Sequence, residues 1–116
     1  MDAQVERVTR GDAVVVRVLG EVDRETAVPF RDALAQTLAE GISAIVVNLQ
    51  QVEYIDSVGL GVIIAGATKA QKAGGKLVVC GLGTHLQKVF EIAGIRQMVD
   101  VMKDEEEALP AVSPET

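Results

Sequence analysis

The chain has 116 residues, of which 48% are hydrophobic, and its formal net charge is -6. This length and composition predict one folded globular domain, which we expect to span residues 1–110. The acidic balance and the 3% aromatic content argue against nucleic-acid binding, which relies on clustered cations and aromatic stacking surfaces.

Cysteine content and apolar patterning indicate where the protein resides. Cys80 is the single cysteine, so no internal disulfide and no thiolate metal cluster is expected. The N-terminus lacks the basic and apolar regions of a signal peptide. The longest apolar runs, such as 60–67, are far shorter than the ~20 residues that span a bilayer. We therefore expect a soluble, cytoplasmic protein without membrane insertion.

The chain begins with a predicted pair of strands. Loose alternation over residues 5–8 predicts a short edge strand, and Gly11-Asp12 predicts a turn. Residues 13–19 are largely apolar and β-branched, which predicts a buried strand that ends at Gly20.

A helix and a third strand follow. Thr26 is expected to cap the helix, Pro29 suits its first turn, and Gly41 ends it. One face of this helix is apolar at helical spacing: Ala27, Phe30, Leu34 and Leu38. The continuous apolar run 44–49 predicts a strand covered on both faces, as in a parallel sheet under helices.

The central part of the chain repeats the strand-and-helix alternation. A helix is predicted from Ser57 to Ala73, and a buried strand over 76–80. Residues 84–87 read Thr-His-Leu-Gln, which fits a capping box at the start of an amphipathic helix, and Gly94 ends that helix.

The C-terminal region is predicted to contain a short strand around 98–101 and a short helix over 104–109. Pro110 is expected to end this helix and to leave a mobile tail over 111–116. The alternating elements indicate an α/β fold, with a mixed, mostly parallel sheet of four to five strands and helices packed on it.

Catalytic and cofactor motifs find no support in the sequence. His85 is the single histidine and lies at a helix start, far in sequence from any serine or aspartate of interest. Residues 81–83 read Gly-Leu-Gly, but the third glycine of a dinucleotide-binding loop is missing, so a tight turn is predicted. The acidic run 104–107 is interpreted as a solvated helix start. We expect no enzyme activity, no cofactor and no metal site.

Ser57 is the most informative residue, because it lies between a predicted strand and a predicted helix. Either Ser57 or Asp56 caps the helix. No general base is evident nearby, so Ser57 is not expected to be a nucleophile. The helix start carries partial positive charge and free N–H groups, so a phosphate on Ser57 is expected to be tolerated there. The ~1.5–2 added charges would instead act on a docking surface.

The helix that starts at Ser57 is apolar almost all round. Its inner face is predicted to pack on the sheet: Leu60, Ile63, Ile64 and Ala67. Its outer face carries Val58, Val62 and Ala65, followed by Lys69 and Lys72. Small residues at 59 and 61 leave the backbone open to approach. We interpret this outer face as a partner-binding surface, with the contacts Asp56, Val58, Gly59, Gly61 and Val62.

Three segments of the chain match a known family. They are Gly20-Glu21-Val22-Asp23, Asp56-Ser57-Val58-Gly59-Leu60-Gly61-Val62 and Gly74-Gly75-Lys76-Leu77-Val78-Val79-Cys80. With these segments and residues 86–95, the chain resembles the STAS-domain anti-sigma factor antagonists of bacterial partner-switching systems over nearly its whole length. One departure is Val58, where the family often has Ser or Thr. Ser57 is therefore the only hydroxyl in the motif.

The resemblance implies a single STAS domain that acts as an anti-sigma factor antagonist. Its unphosphorylated form would bind an anti-sigma factor that is also a serine kinase, and would thereby release a sigma factor. The kinase would inactivate it by phosphorylating Ser57, and a metal-dependent serine phosphatase would reverse this. Asp23 would lie beside Ser57 and shape the docking surface, although simple turn chemistry also explains an aspartate there.

Other functions remain as alternatives. A non-phosphorylated STAS accessory subunit of a lipid transporter, or a stress-sensing scaffold, would keep the apolar outer face but not the switch. The Asp-Ser pair at a helix start also resembles the phosphopantetheine site of acyl carriers, but those are all-helical, and the predicted strands oppose this. A metabolic enzyme would show a stability shift with a small substrate.

Overall fold

The computed structural model describes residues 4–113. Strands and helices alternate in the order β1 (Gln4–Arg10), β2 (Ala13–Val22), α1 (Ala27–Ala39), β3 (Ala44–Ile55), α2 (Ser57–Lys72), β4 (Lys76–Cys80), α3 (Thr84–Ile92), β5 (Asp100–Met102) and α4 (Glu105–Val112). The sheet order is β1-β2-β3-β4-β5, with β1 antiparallel to β2 and all other pairs parallel. The predicted mixed, mostly parallel sheet is confirmed, and β1 is its edge strand.

A hydrophobic core covers each face of the sheet. Side chains alternate between the two faces along a strand, so Val14 and Val16 of β2 belong to one core and Val15 to the other. Helices α1, α2 and α3 cover the first face. Helix α4 covers part of the second face with Ala108 and Val112. The continuous apolar runs of the strands follow from this two-sided burial.

Strands β2 and β3 are both longer than predicted. β2 continues through Gly20, which adopts a positive φ of 100° at an irregularity in its pairing with β3. Glycine tolerates this conformation, so the strand bends there and does not end. The pairing then extends to Val22 and Ile55. The prediction that Gly20 ends the strand is therefore wrong.

Two predicted helix caps differ in the structure. Thr26 occupies the cap position of α1 as predicted, but its side chain makes no capping hydrogen bond, and its hydroxyl donates to the Glu21 carbonyl at 2.6 Å. The capping box at 84–87 is absent, because Gly83 is the cap residue and Gln87 Nε2 donates to the Leu82 carbonyl.

The C-terminal elements are also shifted from their predicted positions. A single turn of 3₁₀ helix occupies Ile95–Gln97, and β5 begins at Asp100. α4 continues past Pro110 to Val112, because Val112 is buried against the sheet and Pro110 itself is exposed. The prediction that Pro110 ends the helix is wrong. Ala111 and Val112 of the predicted tail belong to α4, and residues 114–116 lie outside the described residues.

An ionic cluster fastens α4 to the sheet. Arg17 of β2 donates from Nε and Nη2 to the two carboxylate oxygens of Glu105, at 2.8 and 3.0 Å. Asn48 of β3 donates to the same carboxylate at 2.7 Å. The hydrogen bonds from Arg17, and then from Asn48, lower the pKa of Glu105 from 4.5 to about 2. The interpretation of 104–107 as a purely solvated helix start is thus wrong at Glu105.

We expect Glu105→Gln to reduce the free energy of unfolding by about 1.5–3 kcal/mol at pH 7, because a charged acceptor is lost from a half-buried cluster. Since the folded-state pKa lies below the unfolded one, this contribution is complete above pH 4.5 and is lost as the pH falls toward about 2. Urea unfolding of the wild type and of Glu105→Gln across this pH range should show that their difference in unfolding free energy becomes smaller as the pH falls. Glu106→Gln, at an exposed neighbour, is the control, and an equal effect there would contradict the role of the cluster.

Candidate functional site

The candidate site lies where β2 and β3 end beside one another. The backbone N–H of Asp56 donates to the carbonyl of Val22 at 3.0 Å, which joins the β3–α2 connection to the β2–α1 connection. Both connections leave the carboxyl ends of neighbouring parallel strands, the edge at which α/β sheets usually carry their binding sites. The two predicted motifs around Asp23 and Ser57 are therefore brought to one edge of the sheet.

Asp56 is the residue that caps α2. Its carboxylate Oδ1 accepts from the backbone N–H groups of Val58 at 2.9 Å and Gly59 at 3.1 Å. Ser57 is consequently the first helical residue, and its side chain is exposed. Within residues 4–113, the Ser57 hydroxyl has no hydrogen-bond partner in the protein. Of the two capping alternatives left open by the sequence, the structure selects Asp56.

The cap by Asp56 corrects the expectation that free N–H groups at the start of α2 would be available to a phosphate on Ser57. The N–H groups of Val58 and Gly59 are occupied by Asp56, and that of Leu60 donates to the Asp56 carbonyl at 3.0 Å. A phosphate on Ser57 would therefore not find these donors free. It would project outward beside a carboxylate, so its charge would act on the surface.

Asp23 organises the neighbouring turn. Its Oδ1 accepts from the backbone N–H groups of Glu25 and Thr26, both at 2.9 Å. Hydrogen bonds from Thr26, first from its backbone and then from its hydroxyl, hold the pKa of Asp23 below its usual range. Turn chemistry therefore accounts for this aspartate locally. The side chain also remains half-exposed, so it contributes to the surface as well.

A shallow, acidic depression joins the two turns. It is lined by Asp23, Arg24, Glu25, Asp56 and Val58. Three carboxylates and one guanidinium give this surface a negative local charge beside the Ser57 position. Added negative charge would face like charges here, which raises the cost of desolvating the surface when a partner docks.

Exposed hydrophobic side chains surround the same edge. Val28 is 41% exposed, Tyr54 44% and Val58 38%, and these are three of the five large hydrophobic residues exposed in the described part of the chain. They lie at the start of α1, the end of β3 and the start of α2. Val28 and Tyr54 were not predicted to lie on this surface, and no local pattern in the sequence marks either of them.

The two glycines of the motif have different roles. Gly59 is buried, and a Cβ there would lie 2.6 Å from Ile55 Cγ1 and 2.7 Å from Val22 Cγ1. Gly61 is exposed, with open space where a Cβ would be. Gly59 is therefore a packing residue that lets α2 approach the strand ends, and its predicted place on the partner surface is wrong. Gly61 does lie on the outer face.

The outer face of α2 borders a shallow groove against α1. Val58 and Ala65 are exposed and Val62 is half-buried, while the inner Leu60 and Ile63 are buried as predicted. α1 lines the other side of the groove. The sequence predicts one apolar face for α1, but helical spacing alone does not show which residues of that face stop short of the core.

The other residues considered for chemistry lie apart from this edge or are inaccessible. His85 is exposed at the second position of α3, and residues 81–83 form the connection from β4 to α3. Burial raises the pKa of the Cys80 thiol to about 12. Across residues 4–113, no group of three or more His, Cys, Asp or Glu side chains is arranged to hold a metal ion. In the same range, no helix combines the length and apolarity needed to cross a membrane.

Comparison with known proteins identifies the family. The family model described as Mlab, STAS domain matches residues 5–100. The chain belongs to the STAS-domain family. It is 32% identical over 102 residues to an anti-sigma-B factor antagonist of Staphylococcus epidermidis, which covers 87% of this chain and 94% of that relative. The resemblance inferred from the three sequence segments is confirmed.

Solved structures agree with this assignment. An anti-sigma factor antagonist from Mycobacterium paratuberculosis matches with a TM-score of 0.88 at 26% identity, covering 96% of this chain and 94% of that one. The Bacillus cell fate determinant SpoIIAA in its phosphorylated form matches with a TM-score of 0.67 at 25% identity, covering 90% and 94%. The STAS-type arrangement of the sheet and helices is thus shared with antagonist structures.

The contrast between the two motif glycines of this STAS domain yields a matched test. Gly59→Ala should lower the free energy of unfolding by about 1–3 kcal/mol, because its Cβ would overlap Ile55 and Val22. Gly61→Ala should be neutral or stabilise by up to about 1 kcal/mol, since alanine favours the helix and meets open space. Urea unfolding midpoints measure both. Similar midpoints for the two variants would refute the assignment of Gly59 to packing.

Proposed function

We propose that this STAS domain is an anti-sigma factor antagonist, whose unphosphorylated form binds an anti-sigma factor and releases a sigma factor. The names of its relatives support this, because antagonists account for both the sequence relative and the structural match described above. The protein itself is proposed to carry out no catalysis.

The observation that carries the proposal is the position of Ser57. Its hydroxyl is exposed at the start of α2, is not used as a cap, and lies among the exposed side chains of the edge. A hydroxyl without a structural task, placed between an acidic depression and exposed apolar side chains, is suited to modification by another protein. A match to SpoIIAA in a phosphorylated form supports the same interpretation.

Phosphorylation of Ser57 is proposed to switch docking while the fold stays intact. The phosphate would add ~1.5–2 negative charges at pH 7 beside the carboxylate of Asp56. Because the N–H groups of Val58 and Gly59 are taken by Asp56, the partner would have to supply compensating hydrogen bonds or leave the phosphate poorly solvated. Each 1.4 kcal/mol of that penalty reduces affinity tenfold.

The proposed partners follow from this switch. The anti-sigma factor is proposed to be the serine kinase that phosphorylates Ser57, so that the docked partner is also the modifying enzyme. A metal-dependent serine phosphatase is proposed to restore the binding form. Asp23, Asp56, Val58, Gly61 and Val62 are proposed to contact the anti-sigma factor.

Replacement of Ser57 tests the switch in a purified system. Ser57→Glu should retain the circular dichroism spectrum and melting temperature of the wild type but bind the anti-sigma factor at least tenfold more weakly, as measured by calorimetry. Ser57→Ala should bind like the unphosphorylated wild type and resist inactivation by kinase and ATP. Thr84→Glu is the matched control, because Thr84 is an exposed hydroxyl residue at the first position of α3.

Three results would count against this proposal. Equal binding by the wild type and Ser57→Glu would exclude a switch at this residue. An equal loss in Thr84→Glu would show that the effect comes from net charge alone. Persistent binding to a transporter ATPase, unaffected by Ser57→Glu, would favour the alternative of a non-phosphorylated accessory subunit.

The modification itself is tested on protein isolated from its native cells. Intact-mass and fragment mass spectrometry should find one phosphoryl group, located on Ser57, with an occupancy that differs between growing and stressed cells. Thr84 and Thr68, both exposed, serve as internal controls that should remain unmodified. Absence of phosphate under all conditions would indicate that Ser57 is an exposed helix residue without a regulatory role. It would favour the alternative of a scaffold or a transporter subunit.

A further inference from the structure

The groove between α1 and α2 extends well beyond the start of α2. Its volume is about 270 Å³. The floor and walls are formed by apolar or small residues of both helices: Leu34, Leu38, Val58, Gly61, Val62 and Ala65. Close approach of the helices creates it, because Gly66 packs against Leu34, where a Cβ would lie 3.0 Å from Leu34 Cδ1. The groove therefore lies directly above the close contact between the two helices.

The charges at this groove are opposite to those of the chain as a whole. The chain carries 17 acidic residues, yet α2 contains neither Asp nor Glu and has Lys69 and Lys72 in its last turn. The two charged residues that line the groove are Arg31 and Lys69, and both are exposed. Within residues 4–113, neither forms an ion pair. An apolar groove flanked by unpaired cations is complementary to an acidic amphipathic segment.

We propose that this groove receives an amphipathic helix of the anti-sigma factor, whose carboxylates lie against Arg31 and Lys69. The inference rests on the proposed function and extends the docking surface from Ser57 along α2. Val58, Val62, Ala65 and Lys69 follow one another at helical spacing on a single face of α2. A third helix laid beside them would bury its apolar stripe against both α1 and α2, as in helix-in-groove recognition.

The geometry sets the pattern expected in the partner. Lys69 lies about 16 Å along α2 from Val58, at 1.5 Å of rise per residue. The partner segment must therefore present apolar residues over about three helical turns, with one acidic residue over Lys69 and another over Arg31. Arg31 lies one turn before Leu34, which packs against Gly66, so it lies nearer the Ser57 end of the groove than Lys69 does.

Charge reversal at the two cations tests this inference. Arg31→Glu and Lys69→Glu should each weaken binding of the purified anti-sigma factor at least tenfold in low salt. Lys88→Glu should change it less than twofold, because Lys88 is an exposed lysine of α3 outside the groove. The difference between Lys69→Glu and Lys88→Glu should shrink at high salt, since the contact is electrostatic. A Glu→Lys change in the partner helix should restore binding to Lys69→Glu. Melting temperatures report whether each variant is folded.

The outcomes separate this inference from the proposed function. If the wild type binds no anti-sigma factor, the proposed function fails. If it binds and responds to Ser57→Glu, but Lys69→Glu and Lys88→Glu behave alike, only the groove inference is overturned. Sedimentation showing a dimer that Arg31→Glu and Lys69→Glu dissociate would also overturn it, since the occupant would then be a second copy of the chain.

Discussion

The pairing of β2 with β3 is the constraint on which the site depends. The two strands stay paired to their last residues, Val22 and Ile55, and the hydrogen bond from Asp56 to Val22 then joins the following turns. Without the extended pairing, the Asp23 turn and the start of α2 would not lie beside each other at the edge of the sheet. The bend at Gly20 makes the extension possible, because β2 absorbs the change in register without ending. Gly20, which the sequence pattern predicts to end β2, therefore helps to bring the Asp23 turn and the Ser57 motif together.

Helix α2 has to satisfy opposite demands on its two faces. Its inner face approaches the sheet closely, and Gly59 and Gly66 remove the side chains that would prevent this. Its outer face keeps apolar residues in contact with solvent, which costs solubility unless a partner covers them. Small residues thus serve packing on one side and groove formation on the other. The apolar run over 58–67 satisfies both faces, so its composition alone does not distinguish a buried helix from a docking helix.

The parts of the fold that the sequence predicts well are those determined locally. Apolar runs, helical spacing and the Asp-Ser motif place most strands and helices, since each depends on neighbours within a few residues. The ionic cluster of Arg17 and Glu105 joins residues 88 positions apart, and no local pattern signals it. Helix ends were predicted less well for a related reason. Both Asp56 and Ser57 are suitable cap residues for α2, so the sequence alone did not decide between them. α4 continues past Pro110 to Val112, because the burial of Val112 against the sheet outweighs one missing backbone hydrogen bond.

Because Asp56 caps α2, the residue that stabilises the helix start is not the residue that is proposed to be modified. If the Ser57 hydroxyl capped α2, phosphorylation would disturb the helix start, and the switch would act partly by destabilising the fold. With Asp56 accepting from Val58 and Gly59, the helix start is satisfied whether or not Ser57 is modified. The same arrangement withholds those donors from a phosphate and leaves it beside a carboxylate. Under the proposed function, the full electrostatic effect of the modification therefore falls on the partner interface, where a few kcal/mol are enough to change affinity by orders of magnitude.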